Sequence, residues 1–107
     1  MRLADCPVRA SLDVIEGKWK PVILFNLMGG KKRFGQLRRL IPEATQKVLT
    51  QQLRELERDR VVTRRVIPTV PVQVEYSFSP EGEALRSAIE ELCKWGTMRQ
   101  RLAARAS

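Results

Sequence analysis

The sequence contains no histidine, and its two cysteines, Cys6 and Cys93, lie far apart. The absence of histidine excludes His-dependent catalytic triads and the usual mixed Cys and His zinc sites. Two distant cysteines give no disulfide framework. A glycine-rich phosphate loop and a nucleophile with a base at hand are lacking as well. The sequence therefore disfavours an enzyme and predicts neither a metal nor a cofactor.

Long apolar runs are also lacking. No stretch approaches the roughly 18–20 apolar residues that a membrane-spanning helix needs, and the opening MRLADCPVRA has no apolar core of a signal peptide. The 107 residues are enough for one compact domain with a modest core. We therefore expect a single domain over residues 1–107, located in the cytoplasm, with no membrane partner.

Positive charge, in contrast, is abundant. Twenty Lys and Arg residues against twelve Asp and Glu residues give a formal net charge of +8 and a pI near 10.3. An excess of this size favours a polyanionic partner. Nucleic acid is the first candidate, and an anionic membrane surface is the second.

Three short helices are predicted in the first part of the chain. DCPVRASLDVIEGKW has a proline near its start and apolar residues at helical spacing, and KWKPVILFNLMGG is a dense apolar run that ends in two glycines. KKRFGQLRRLIP suggests a third helix that is capped near Gly35 and stops at Pro42. Its expected buried side consists of Leu37, Leu40 and Ile41.

A fourth helix is predicted over TQKVLTQQLRELERD, residues 45–59. Thr45 is a good N-cap, and Leu49, Leu53 and Leu56 form an apolar stripe at i, i+4 and i+7. The tight connection to the preceding helix gives a helix-turn-helix over about residues 35–58. The face opposite the stripe is cationic and rich in hydrogen-bonding groups, with Lys47, Thr50, Gln51, Arg54 and Arg58.

After Arg60 the apolar period changes from 3.6 to 2. VVTRRVIP and VQVEYSFS predict a hairpin over about residues 62–79, with Val74, Tyr76 and Phe78 on one side. A last helix over about residues 80–104 carries the apolar stripe Leu85, Ala88, Ile89, Leu92, Trp95, Met98 and Leu102. The predicted fold class is mainly α with a small β-hairpin (α+β): a winged helix-turn-helix with a three-helix core, a wing and a long C-terminal helix.

This arrangement is suited to DNA, because the major groove admits one helix whose outer side chains reach base edges. The expected base-reading residues are Lys47, Thr50, Gln51 and Arg54, with the helix start at Thr45 and Gln46 beside a base or phosphate. Phosphate contacts are expected from the preceding segment at Lys31, Lys32, Arg33 and Arg38. The hairpin would add Arg64, Arg65 and Gln73.

Three other interpretations compete with base reading. A charged outer face is often only solvated. The same basic surface would also suit an architectural DNA-binding or RNA-binding protein without sequence preference. A winged helix that serves only protein partners is the third, but it leaves the excess positive charge unexplained.

The residues also resemble the HxlR-type winged helix-turn-helix transcriptional regulators, which share the architecture of MarR-type regulators. The resemblance covers about residues 6–96 and rests on a cysteine-proline start, GKW, RF, LRRLIP, TQKVLTQQLRELE and VEYS in this order. It implies a prokaryotic, nucleoid-associated homodimer that binds an inverted-repeat operator, with a recognition helix at 45–58 and a wing at about 62–79. Its dimer contacts would fall on Val8, Leu12, Ile15, Leu85, Ile89, Leu92 and Trp95. The alternative is that the last helix folds back on its own core.

Two further expectations concern Arg60 and the cysteines. The family often has glycine at the position of Arg60, so the sequence does not define the exact residue at which the recognition helix ends. Cys6 lies at a helix start near Arg2 and Arg9, which favours a reactive thiolate. Some members of the family sense quinones, aldehydes or oxidants at that position, and the alternative is an inert buried thiol. For Cys93 we expect packing. Repression is the default mode of action.

Overall fold

The structure is a computed structural model that describes residues 1–106. It contains five α-helices, three β-strands and two short 3₁₀ turns. None of the helices in this range is long and apolar enough to cross a membrane. In chain order the elements are a 3₁₀ turn at Leu3–Asp5, α1 Pro7–Ile15, α2 Lys20–Leu27, β1 Lys32–Arg33, α3 Phe34–Leu40, α4 Gln46–Arg58, β2 Val62–Ile67, β3 Gln73–Phe78, a 3₁₀ turn at Gly82–Leu85 and α5 Arg86–Ala106.

The helix boundaries follow local signals in the sequence. Pro7 and Pro21 lie in the first turns of α1 and α2, where a missing N–H costs nothing. Thr45 is the N-cap of α4, and its Oγ1 accepts a hydrogen bond of 3.1 Å from the Val48 N–H. The cap of α3 differs from the prediction, because Arg33 and not Gly35 precedes its first turn.

The core forms where α2, α3 and α4 meet. The predicted stripe of Leu49, Leu53 and Leu56 is fully buried and packs with buried side chains of α2 and with Leu37. Leu37 and Ile41 are buried, as predicted, but the prediction for Leu40 is wrong, because half of this side chain is exposed where α3 ends.

The sheet has the strand order β1-β3-β2, and both strand pairs are antiparallel. The predicted hairpin is confirmed, with Val62 opposite Phe78 and Ile67 opposite Gln73. Tyr76 and Phe78 lie on the same face of the sheet and are both buried, as the alternation predicts. The two-residue strand β1 was not predicted; its Lys32 pairs with Tyr76.

A tight corner joins the end of α4 to the start of α5. Arg60 adopts a left-handed conformation with φ of 63°, and the Val61 N–H donates to the Leu56 carbonyl, which completes a Schellman motif. Ser79 Oγ donates to the Arg60 carbonyl and accepts from the Gly82 N–H at 2.8 Å. This corner and a 3₁₀ turn delay α5 to Arg86, six residues after the predicted start at 80.

The last helix extends away from the core. Ile89 is buried, whereas the large apolar residues further along α5 are about half exposed: Leu92, Trp95, Met98 and Leu102. The Cα radius of gyration is 15.5 Å, compared with about 13 Å for a compact domain of about 100 residues. The chain therefore carries an apolar helix face that its own core does not cover.

Candidate nucleic-acid interface

The outer face of α4 gathers the side chains that were predicted to read bases. Thr45 begins this face but uses its hydroxyl oxygen as the N-cap acceptor, which leaves its O–H as the group that can reach a phosphate. Behind the face, the three leucines of the same helix are fully buried. The outer side chains therefore stand on a helix that the core holds in place. A shallow depression on this face is lined by Gln46, Lys47, Thr50, Gln51 and Arg54.

A larger open groove of about 1030 Å³ separates α4 from the wing. The helix contributes Thr50 and Arg54 to its walls, and the hairpin contributes Arg64 and Gln73. Arg33 lies at the end where α3 begins. Lys31 lines the groove as well, so the structure brings six of the residues predicted to contact DNA together around one groove beside the helix.

The groove is predominantly cationic. Its acidic residues are Glu57 and Glu75, and Lys31 Nζ lies 3.8 Å from the Glu75 carboxylate. An open groove with excess positive charge attracts phosphate groups. Its cationic residues are Lys31, Arg33, Arg39, Arg54 and Arg64.

Tyr76 lines the groove and is the cross-strand partner of Arg64. Burial raises the pKa of the Tyr76 phenol, and a hydrogen bond from Arg64 opposes that rise. Because the ordinary pKa of tyrosine is already near 10, the phenol is neutral at physiological pH. Arg64, which lines the same groove, therefore lies opposite a neutral side chain rather than an anionic one.

Among the residues predicted for phosphate contacts and for the wing, three lie outside this groove. Arg65 pairs with Glu75 in the ladder and, by strand alternation, projects from the hairpin face opposite to that of Arg64. Lys32 donates to the Gly30 carbonyl at 3.2 Å, and Arg38 is exposed in the last turn of α3. Sequence reasoning overlooked Arg39, Glu57 and Tyr76, because only the docking of the wing beside α4 makes these residues neighbours.

The residues predicted for a dimer interface divide into two groups. Ile15 and Ile89 are buried in the core of the single chain, and Leu85 packs partly against it. Val8, Leu12, Leu92 and Trp95 remain exposed in the described part of the chain.

The cysteines differ in their surroundings. Cys6 is half-buried at the N-cap of α1, whereas Cys93 is exposed on α5, contrary to the expected packing role. Of the two arginines expected near Cys6, Arg9 forms ion pairs with Asp13 and Glu16. In residues 1–106, no group of three or more His, Cys, Asp or Glu side chains is placed to hold a metal ion.

A helix-turn-helix followed by a β-hairpin beside a cationic groove defines the class of winged helix-turn-helix DNA-binding proteins. Comparison with known proteins narrows the class. The family described as HxlR-like helix-turn-helix matches residues 14–103. The chain belongs to this family, and it is a helix-turn-helix transcriptional regulator rather than an enzyme.

Relatives and solved structures agree with this assignment. The chain is 55% identical to the HTH-type transcriptional regulator YtcD of Bacillus subtilis (strain 168) over 89 residues, which cover 83% of this chain and 71% of YtcD. The redox regulator HypR in its reduced form superimposes with a TM-score of 0.86 at 42% identity, covering 94% of this chain and 99% of HypR. The reduced transcriptional regulator YodB from B. subtilis gives a TM-score of 0.72 at 35% identity, with 84% and 89% of the two chains covered.

Proposed function

We propose that the chain reads a specific DNA sequence by placing the outer face of α4 in the major groove. The observation that carries this proposal is the set of Lys47, Thr50, Gln51 and Arg54 around one depression, on a helix whose opposite face is fully buried. Glutamine can form paired hydrogen bonds with adenine, and lysine or arginine can form them with guanine. A helix that is already held in place loses little entropy when it binds.

The groove between α4 and the wing would hold the sugar-phosphate backbone beside the base-reading helix. Arg33 and Arg64 both line that groove, and contacts of such cationic side chains with phosphates carry no sequence information. We assign them to phosphate contacts. Arg65 projects from the other face of the hairpin and Arg38 does not line the groove, so we expect both to contact the duplex only at its flanks.

Selection from a random-duplex pool tests sequence reading. Purified, reduced protein is mixed with the pool at near-physiological salt, and the retained duplexes are sequenced. We expect an enriched inverted repeat whose half-sites lie about one helical turn, or a small multiple of it, apart. Tight binding without enrichment would support the rival function, an architectural protein that grips phosphates alone.

We further propose that the protein is a homodimer in which α5 of two chains buries the exposed apolar face. Large contiguous apolar surfaces on a small domain are typical of subunit interfaces, and a two-fold dimer matches an inverted repeat. Leu102 and Leu40 provide a matched test, because their exposed fractions are 51% and 50% but only Leu102 lies on α5. Leu102→Asp should give monomers in sedimentation, and Leu40→Asp should not. A monomeric wild-type protein at micromolar concentration would contradict the dimer.

Repression follows from this geometry if the operator overlaps a promoter, because a bound dimer excludes polymerase from the same DNA. A reporter gene under such a promoter should rise in expression when the gene for this protein is deleted. A fall in expression would show activation instead.

We propose Cys6 as the residue through which an electrophile or oxidant releases the DNA. The support is its position at the N-cap of α1 and the similarity to HypR, which is a redox regulator. With a quinone, the Cys6 thiolate would add to a ring carbon, a C–S bond would form, and the electron pair would move to the quinone oxygen, which takes up a proton. The expected effector is therefore a small electrophile or oxidant, and the protein would act at the nucleoid.

Serine variants of the two cysteines test this role. After treatment with benzoquinone, wild-type protein and Cys93→Ser should release the selected operator, whereas Cys6→Ser should retain it. Release by Cys6→Ser at the wild-type rate would sink the sensor hypothesis. Release that is lost only in Cys93→Ser would identify Cys93, on α5, as the reactive thiol.

A further inference from the structure

Lys20 is a charged residue buried beneath the recognition helix. It is the first residue of α2, only 6% of its surface is exposed, and its Nζ lies 3.1 Å from Glu55 Oε2 on α4. A buried charge is costly unless it is paired and hydrogen-bonded. The pair therefore makes a directed contact between α2 and one particular side of α4.

Gln52 extends this contact to the turn between α1 and α2. Its Nε2 donates to Glu55 Oε2 at 3.1 Å, and its buried Oε1 packs against Gly17. A Cβ atom on Gly17 would lie 2.9 Å from Gln52 Oε1, and its φ of +136° favours glycine. The polar cluster of Lys20, Gln52 and Glu55 thus joins three segments of the chain.

The cluster acts on one flank of α4. At 100° per residue, Gln52 and Glu55 lie between the buried leucine stripe and the outer face that carries Gln51 and Arg54. Apolar burial is non-directional, so the leucine stripe holds α4 against the core but defines its rotation less sharply than a directional contact does. An ion pair with a shared hydrogen bond depends on distance and angle, so it restricts rotation about the helix axis.

Small rotations matter for base reading. At the 5–6 Å radius of a helix with its side chains, a rotation of about 10° moves a side-chain tip by roughly 1 Å. A displacement of this size takes a hydrogen bond from its optimal length to beyond its useful range. The side chains of Gln51 and Arg54 would then lose paired contacts with a base edge while phosphate attraction persisted.

We propose that Lys20, Glu55 and Gln52 are positioning residues that fix the rotation of α4 and thereby determine sequence specificity. This inference rests on the proposed function, since specificity requires that α4 reads bases. The cluster contacts no DNA itself. Its effect is expected in the ratio of affinities for the selected operator and for a scrambled duplex of the same length.

Two charge-matched variants separate this effect from general electrostatics. Glu55→Gln and Glu81→Gln each remove one negative charge, and Glu81 belongs to an exposed pair with Arg60 at 3.9 Å. Both variants should strengthen binding to the scrambled duplex equally. Only Glu55→Gln should lower the operator-to-scrambled ratio, by about tenfold, which is within the range of one lost paired base contact.

A doubly apolar variant separates specificity from stability. Lys20→Met/Glu55→Met leaves the net charge unchanged, and replacing both members of a buried pair is often neutral or stabilising. We expect a melting temperature near that of the wild type, together with a ratio lowered by about tenfold, because apolar contacts define the rotation of α4 less sharply than the ion pair does. If this variant does not fold, the comparison of Glu55→Gln with Glu81→Gln tests the inference through the same operator-to-scrambled ratio.

A wild-type ratio in the folded double variant would overturn the inference, whatever the single variant shows. The test is also independent of failure of the proposed function. If the wild-type protein itself does not discriminate between operator and scrambled duplex, base reading by α4 fails first. If the wild type discriminates and the double variant does so equally well, only the positioning role fails.

Discussion

Helices α4 and α5 are both amphipathic, but only α4 finds its apolar partners within the chain. Leu49, Leu53 and Leu56 of α4 are fully buried. On α5 only Ile89 is buried, while Trp95 and the other large apolar residues further along the helix stay about half exposed. The difference supports the two proposed roles: α4 is held in place before it meets DNA, and α5 offers an apolar face to the proposed second copy.

Leucine-to-alanine substitutions should show the largest difference between the two helices. Leu53→Ala removes a fully buried side chain, so we expect a loss of about 3–5 kcal/mol in the free energy of unfolding. If the proposed dimer forms through α5, Leu102→Ala should instead weaken dimerisation by about 1–3 kcal/mol, because this side chain would become buried only against the partner. Denaturant unfolding at several protein concentrations distinguishes the two effects. Equal, concentration-independent losses would mean that α5 is stabilised within its own chain.

Substitution in the corner between α4 and α5 is expected to lower the free energy of unfolding nearly as much. A Cβ atom on Gly82 would lie 1.9 Å from the Val61 carbonyl oxygen, so Gly82→Ala must displace backbone. We expect a destabilisation of about 3 kcal/mol, at the upper end for overpacking. Gly96→Ala on α5 is the control, since nothing lies within 4 Å of its added methyl group and alanine favours the helix. Thermal melts that show similar losses for both variants would refute this account of the corner.

The N-cap of α4 should give a smaller effect. Thr45→Ala removes the acceptor of the Val48 N–H, and we expect a loss of about 1 kcal/mol in the free energy of unfolding. Thr45→Ser retains the hydroxyl and should be nearly neutral. Chemical denaturation of both variants measures the difference, and an equal loss in the two would exclude the cap as its cause.

A substitution at the end of α4 should change the free energy of unfolding least, and it should raise this free energy rather than lower it. Arg60 has φ of 63°, a conformation that costs a side-chain-bearing residue about 1–2 kcal/mol. Its exposed ion pair with Glu81 at 3.9 Å contributes little. Glycine relieves this strain but loses more backbone entropy on folding, which offsets part of the gain. Arg60→Gly should therefore stabilise the fold by about 0.5 kcal/mol. A melting temperature below that of the wild type would contradict this expectation.

The sequence predicted those features that depend on local patterns. The Thr45 cap, the leucine stripe of α4 and the alternation around Tyr76 follow from spacing alone, and the structure confirms all three. The two-residue strand β1 was not predicted, because it exists only through its pairing with β3. Contacts between distant segments have no local signature.

The candidate site shows the same limit. The outer face of α4 was predicted residue by residue, since a helix fixes which side chains share a face. The groove beside it depends on how the wing docks, so Arg39 was overlooked. Lys20 was overlooked for a different reason: a lysine next to an apolar run suggests a solvated residue, and only the position of Glu55 reveals a buried pair.

Base reading by α4 is tested most directly by comparing two charge-matched variants on the selected operator and on a scrambled duplex. Arg54→Ala and Arg64→Ala each remove one positive charge, but Arg54 lies on the outer face of α4 and Arg64 lies on the wing. We predict that Arg54→Ala loses about 1–3 kcal/mol more on the operator than on the scrambled duplex, whereas Arg64→Ala loses equally on both. Equal losses on both duplexes for both variants would contradict the reading of bases by this helix.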